Sequence, residues 1–221
     1  MRVGRFLKGA YMQLKVLATG SSGNASVVIG KNEVIAIDFG LSYKKWNTLL
    51  EKNGVAFPDE LFITHGHSDH SNESGLSRLL KTHADIKIHN NRGRFETAEF
   101  TVEAFLVPHD VVNNGLVIIE KSTGKKLVYV TDIFNMYDTL TRPNIKDKLT
   151  GADIYALESN YDNRWLKFPE YLDQMNYRYN VFNNMSRHTS KQESIKTFSA
   201  LKQGKADYVP LHMSSRFFNF S

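Results

Sequence analysis

Cysteine is absent from this sequence of 221 residues. Disulfide frameworks, thiolate metal sites and a cysteine nucleophile are therefore excluded. A disulfide-free chain is compatible with a reducing cytoplasm, the expected location here, although exported chains can also lack cysteine. Long apolar runs are missing as well. The longest, around Val34–Ile37 and Leu116–Ile119, are strand-sized and far short of a membrane span. Met1–Ala10 carries Arg2, Arg5 and Lys8 but no apolar run able to form a signal-peptide core. No membrane partner is expected. There is also no low-complexity tract, internal repeat or linker-like break in composition.

What remains is the composition of a soluble globular protein, 41% apolar and 23% charged. The length suits one sizeable domain with its own core. We expect a single domain over 1–221, with 1–11 as an N-terminal extension or Met12 as the true start. The net charge is +5 and the isoelectric point about 9.2. A basic balance favours anionic partners such as nucleic acid or phosphorylated metabolites, but many basic proteins bind neither.

Patterning predicts strands at Leu14–Ala18, Ala25–Ile29, Glu33–Ile37 and Glu60–Ile63, and again at Ile86–Ile88, Phe100–Leu106, Gly115–Glu120, Lys125–Val130, Ile154–Leu157 and Tyr208–Leu211. Thr19–Asn24, Gly30–Asn32 and Ser122–Gly124 read as turns. Helical spacing appears over Tyr43–Lys52, closed by Asn53-Gly54, and over Leu76–Lys81, Pro169–Tyr177 and Ser190–Gln203. The pattern is that of an α/β domain with sheets covered by helices.

The chemistry concentrates in Thr64-His65-Gly66-His67-Ser68-Asp69-His70. At the end of a strand, His65 and His67 share a side because the period is two, so both rings can reach one ion. Gly66 is expected to permit a tight turn between them. Asp69 and His70 fall on the next turn and can address a second ion, since two-metal hydrolytic sites space their ions about 3.5–4 Å apart. A chance cluster of surface histidines is a poor alternative. Three apolar strands downstream each end in a ligand-type residue, at His109, Asp132 and His212. A site along one edge of a sheet requires that arrangement.

These residues resemble the metallo-β-lactamase-fold hydrolases. The family's His-x-His-x-Asp-His is matched in full by residues 65–70, its later ligands fall on His109, Asp132 and His212, and its early aspartate falls on Asp38 in Ile35–Gly40. The resemblance spans Leu14–Ser214. It implies a four-layer αββα sandwich. It also implies two divalent ions, Zn²⁺ or Mn²⁺ foremost with Fe²⁺ admissible. His65, His67 and His109 would serve one ion, Asp69, His70 and His212 the other, with Asp132 bridging and Asp38 hydrogen-bonding the metal loop. The best-known β-lactamases place a cysteine where Asp132 stands, which points away from β-lactam chemistry.

Leu17–Asn24, Glu158–Asp162 and Leu211–Ser214 are similar to a closer branch, the Bacillus exonuclease-like proteins associated with the WalRK operon. That branch implies phosphodiester hydrolysis, with double-stranded DNA attacked from the 5′ end. It usually reads His-Leu-Ser where this chain has His188-Thr189-Ser190 and His212-Met213-Ser214. Members of the fold often dimerise, so a homodimer is an open expectation.

Asp69 is expected to hold an ion and orient the nucleophile. His188 either contacts the phosphate and protonates the leaving oxygen or is a solvated helix-entry residue. Ser21, Ser22 and Asn24 could bind substrate phosphate or simply build a turn. Asn160 is a further candidate for substrate contact. Tyr177–Arg187 interleaves aromatic, basic and amide side chains, which suits either base stacking or ordinary packing. His83 and His89 are assigned to the surface, and Lys44, Lys45, Lys121, Lys125 and Lys126 to solvated faces. A DNA or RNA phosphodiesterase ranks first. A cyclic-nucleotide phosphodiesterase of the phage anti-immune kind follows, then a thioester or lactone hydrolase, and a non-enzymatic binding protein last.

Overall fold

The computed structural model describes residues 12–167 and 186–214. Eleven strands form two mixed sheets among these residues. The first, in order β1-β2-β3-β4-β5, takes β1 (Gln13–Ala18), β2 (Ala25–Ile29), β3 (Val34–Ile37), β4 (Glu60–Phe62) and β5 (Lys87–His89). The second, in order β11-β10-β9-β8-β7-β6, takes β6 (Gly93–Glu96), β7 (Phe100–Val107), β8 (Asn113–Glu120), β9 (Lys126–Val130), β10 (Ile154–Glu158) and β11 (Asp207–Leu211). Each sheet is antiparallel on one side and parallel on the other.

Three apolar clusters separate four layers. Val28, Ile35, Ile37 and Phe62 of the first sheet meet Val102, Ile118, Leu127, Tyr129 and Ala156 of the second. On the outer face of the first sheet, Val27, Ala36 and Leu61 pack on Trp46 and Leu50 of α1 (Tyr43–Lys52) and Leu79 of α2 (Glu73–Thr82). On the outer face of the second, Val117, Val128, Val130 and Leu157 pack on Met136 and Leu140 of α3 (Met136–Leu140), Leu149 of α4 (Pro143–Leu149) and Leu201 of α5 (Lys191–Leu201). Consecutive strand residues thus enter different clusters, which is why the strands read as unbroken apolar runs. Each fully buried Leu, Ile or Phe contributes about 1.5–3 kcal/mol. The result is the expected αββα sandwich.

The helix starts have local causes. Ser42, Asn72 and Ser190 are N-caps whose side chains accept from Lys45 N, Gly75 N and Glu193 N. Several elements differ from the sequence pattern, and α2 begins at Glu73, three residues before the expected Leu76. β6 is a polar edge strand held only by β7. Helices α3 and α4, of 5 and 7 residues, are too short to show a helical period. Strand β8 begins two residues early, at Asn113. The turn Asn163–Lys167 is 3-10 helical. The predicted helix Pro169–Tyr177 and most of Tyr177–Arg187 lie outside the described residues.

Some surface assignments need correction. His83 is half-buried, stacked on Phe57 at 3.8 Å and 3.0 Å from the Tyr43 hydroxyl. His89 stacks on Phe62 and meets buried Glu60 at 2.7 Å. Lys125 and Lys126 are partly buried and donate to Met12 O and to the Lys148 and Thr150 carbonyls, whereas Lys121 is exposed as expected and its amine reaches Thr97 O.

Candidate metal centre

The strands deliver their chemistry at one end of the sandwich. Asp38 follows β3, His65 lies just beyond β4, His109 follows β7, Asp132 follows β9, Glu158 closes β10 and His212 follows β11. Asp38, Asp132 and His212 adopt left-handed backbone, with φ of 62°, 51° and 50°. Asp, Asn and His tolerate this region better than most residues, yet each instance costs on the order of 1–3 kcal/mol.

Three donor groups result, each with its ligand atoms within 4.8 Å of one another: His65, His67, His109 and Asp132; Asp69, His70, Asp132 and His212; and Asp132, Glu158, His188 and His212. The first two are the sets that the resemblance implied. Asp132 belongs to all three. Its Oδ2 lies 3.2 Å from His65 Nε2 and 3.1 Å from His70 Nε2. His67 Nδ1 lies 3.2 Å from His65 Nε2 and 3.3 Å from His109 Nε2. Three ring nitrogens cannot satisfy one another, because each facing pair shares at most one proton. A cation accepting a lone pair from each resolves the conflict, and an all-nitrogen and oxygen donor set suits Zn²⁺, Mn²⁺ or Fe²⁺.

The electrostatics agree. Burial works against a charged His212, but the charge of Asp132 and hydrogen bonds to Asp69 and Glu158 lift its pKa to about 10. His70 is likewise raised, against burial, by Asp132 and Asp38. Burial opposes ionisation of Asp132, yet the charges of His212 and His70 hold it well below the carboxylate range. His109 is lowered to about 4, chiefly by burial.

A second ring of contacts fixes these side chains. Asp38, fully buried, accepts from His70 Nδ1 at 2.7 Å and from Thr64 N at 2.8 Å. Thr64 Oγ1 lies 3.0 Å from His65 Nδ1. Gly66, expected to allow a tight turn, is not at positive φ, and a Cβ there would meet nothing within 4 Å. The close approach falls instead on Gly40, where a Cβ would sit 1.7 Å from Asp69 O. A side chain at residue 40 would displace the metal loop.

Two expected substrate contacts are otherwise engaged. Asn24 is buried. Its Nδ2 lies 2.8 Å from His70 Nε2 and donates to Asp69 O, and its Oδ1 accepts from Gly20 N. The Asn160 amide donates to His212 O at 2.9 Å. Both brace ligand residues. Ser21 and Ser22 are exposed on the turn 19–24, which is anchored to the site where Thr19 Oγ1 accepts from His212 N. His188 is not a solvated helix-entry residue. Its side chain is 15% exposed, and its Nδ1 lies 2.6 Å from Glu158 Oε1.

Glu158 is a residue of the site that the sequence expectations leave without a role, although it closes an apolar strand as Asp38 and Asp132 nearly do. It is fully buried and accepts from Ile133 N at 2.8 Å and Thr189 N at 3.2 Å. Burial opposes its ionisation, but the charge and hydrogen bond of His188 keep its pKa low. Asn113 and Asn114 gave no signal. Asn113 Nδ2 donates to the Thr131 and Asp132 carbonyls, and Asn114 donates N and Nδ2 to Thr64 O. Asn114 ties the second sheet to the loop after β4 of the first, and Asn113 ties β8 to the loop after β9 within the second sheet.

No protein-family model matches the chain. It is 25% identical over 186 residues to an exodeoxyribonuclease, YycJ, of Bacillus anthracis, covering 72% of this chain and 67% of the relative. It is 27% identical over 188 residues to an exodeoxyribonuclease, WalJ, of Streptococcus pneumoniae, covering 74% and 68%. Nothing in these relatives supports a phage origin. The metallo-β-lactamase fold protein YhfI of Bacillus subtilis superposes with a TM-score of 0.65 at 13% identity, covering 92% of this chain and 87% of that one. The short form of human tRNase Z gives 0.59 at 17% identity, covering 92% and 93%. The chain therefore has the metallo-β-lactamase fold, is similar to the two exodeoxyribonucleases, and carries a buried histidine–aspartate cluster that could hold metal.

Proposed function

We propose that the chain is a two-ion phosphodiesterase that degrades DNA, as an exonuclease working from the 5′ end. The observation that carries the reading is the pair of donor sets sharing Asp132, with the His188–Glu158 pair at their flank. Ions held by His65, His67, His109 and Asp132, and by Asp69, His70, Asp132 and His212, would polarise the phosphodiester and lower the pKa of water. Asp69, tied to Asn24 and His212, orients the nucleophile. Glu158 holds His188 Nδ1, which leaves Nε2 as the atom that delivers a proton to the leaving oxygen. Ser21 and Ser22 stand at the exposed rim, where hydroxyls can bind phosphate oxygens. The curated relatives are exodeoxyribonucleases, and the basic net charge suits an anionic polymer.

The test is a parallel assay of the Zn²⁺- and Mn²⁺-loaded protein on 5′-labelled duplex DNA, single strands, 2′,3′- and 3′,5′-cyclic nucleotides and a thioester. Release of nucleotides from the 5′ end of duplex DNA is the expected result. Turnover of cyclic nucleotides alone would replace the DNA reading with a small-molecule one. Thioester turnover without any phosphodiester turnover would overturn the class.

A further inference from the structure

Each candidate imidazole presents one nitrogen to the centre, and most have the other nitrogen held. His70 Nδ1 has Asp38, His65 Nδ1 has Thr64, and His212 Nδ1 faces Asp132, Glu158 and Asn160. His109 Nδ1 is buried without a partner among the described residues. His67 is the most exposed of the five, its side chain 35% accessible, and its inward atom is Nδ1. Its Nε2 lies 3.3 Å from Asp110 Oδ1, the same oxygen lies 3.1 Å from His109 Nε2, and Asp110 Oδ2 accepts from Arg187 Nη1 at 2.8 Å.

We infer that Asp110 is a positioning residue for the first donor set, holding His67 so that Nδ1 faces the ion, and that Arg187 clamps Asp110 in that pose. The inference rests on the two-ion reading above. Arg187 and His188 are consecutive, and they reach carboxylates on either side of Asp132: Arg187 reaches Asp110 beside His67, and His188 reaches Glu158 beside His212. One dipeptide therefore braces both halves of the centre. An exposed ion pair adds little stability by itself, so its effect is geometric. Carboxylates that hold the outer nitrogen of a ligand histidine typically govern metal affinity by about 10–100-fold.

The test uses the full chain and its Asp110→Ala, Asp110→Asn, Arg187→Ala and Arg187→Lys variants. The affinity of each Zn²⁺ is read by competition with a chromophoric chelator. The imidazole ¹⁵N resonances of His67 are read in the Zn²⁺-loaded protein. Asp110→Ala is expected to weaken one ion by about 10–100-fold, to leave the other unchanged and to shift the His67 signals. Asp110→Asn keeps an acceptor oxygen and retains part of the affinity. Arg187→Ala loses less than Asp110→Ala, and Arg187→Lys recovers most of that loss. If Asp110→Ala does not fold, Asp110→Asn and Arg187→Ala carry the same comparison. Wild-type protein with two ions, and variants with unchanged affinities and His67 signals, would overturn the inference alone. Wild-type protein unable to bind two ions would overturn the two-ion reading and this inference with it.

Discussion

Replacing Asp38 by Asn tests how the second donor set is held. Asp38 is fully buried, sits at φ 62° and accepts from His70 Nδ1, Thr64 N and Thr64 Oγ1 at 2.7, 2.8 and 2.9 Å. Asn keeps the shape and tolerates the backbone, so the fold loses mainly one charge-assisted hydrogen bond, about 1.5–3 kcal/mol. The amide N–H then faces His70 Nδ1 and drives the ring proton to Nε2, the nitrogen 3.1 Å from Asp132 Oδ2. Without the Asp38 charge behind it the ring is a poorer donor to a cation, and affinity at this set falls by about 10–100-fold. With Zn²⁺ at 100 times the wild-type Kd, binding stabilises the wild-type fold by about 2.7 kcal/mol per site, and a site weakened 100-fold by about 0.4 kcal/mol. At about 2–4 °C per kcal/mol for a chain of this size, the Zn²⁺-induced rise in Tm drops from about 5–11 °C to about 1–2 °C for that site. Thermal melts with and without Zn²⁺, beside metal analysis of the purified protein, read this directly. Asp38→Ala is a poorer probe, because three stranded donors at about 1–3 kcal/mol each approach the whole stability of a domain. An Asn variant that binds both ions with wild-type affinity and shows an undiminished Tm rise would refute the reasoning.

Three further outcomes are expected. His188→Ala should keep both ions by metal analysis while kcat falls by about 10²–10⁴-fold, and an unchanged kcat would remove His188 from proton delivery. His212 and His70, both with raised pKa, carry protons at neutral pH in the metal-free chain. Loading must release these protons, so apparent Zn²⁺ affinity rises with pH, and calorimetry in buffers of different ionisation enthalpy should show proton release; binding without it would contradict the assignment. Asn113→Ala removes the bonds to Thr131 O and Asp132 O at 2.9 and 2.7 Å and should destabilise the fold by about 1–3 kcal/mol; a denaturation midpoint equal to wild type would show that this strap does not hold the loops.

Much of the fold was legible because strands buried on both faces leave continuous apolar runs and Tyr43–Lys52 keeps helical spacing, whereas the start of α2 behind its Asn72 cap was not. The edge strand β6 and the short helices α3 and α4 were not, since neither burial nor periodicity marks them. At the site, the spacing of His65, His67, Asp69 and His70 is local, and the sequence displayed it. Asp110 and Glu158 were visible as residues but not as partners, because the distance from Asp110 to His67 spans 43 residues and that from Glu158 to His188 spans 30.

By itself the sequence determined the kind of chemistry. The absence of cysteine, the His-x-His-x-Asp-His run and three ligand-type residues at strand ends admit a histidine–carboxylate metal site and little else. Only the tertiary structure decided how those groups are held. It tied Asn24 to Asp69 and His70 and Asn160 to His212, moved the close backbone approach from Gly66 to Gly40, and paired Glu158 with His188 and Asp110 with His67. The physical reason is that donor identity is a property of the residue. Ring orientation, proton placement and charge depend on neighbours that strands from both sheets bring to one edge.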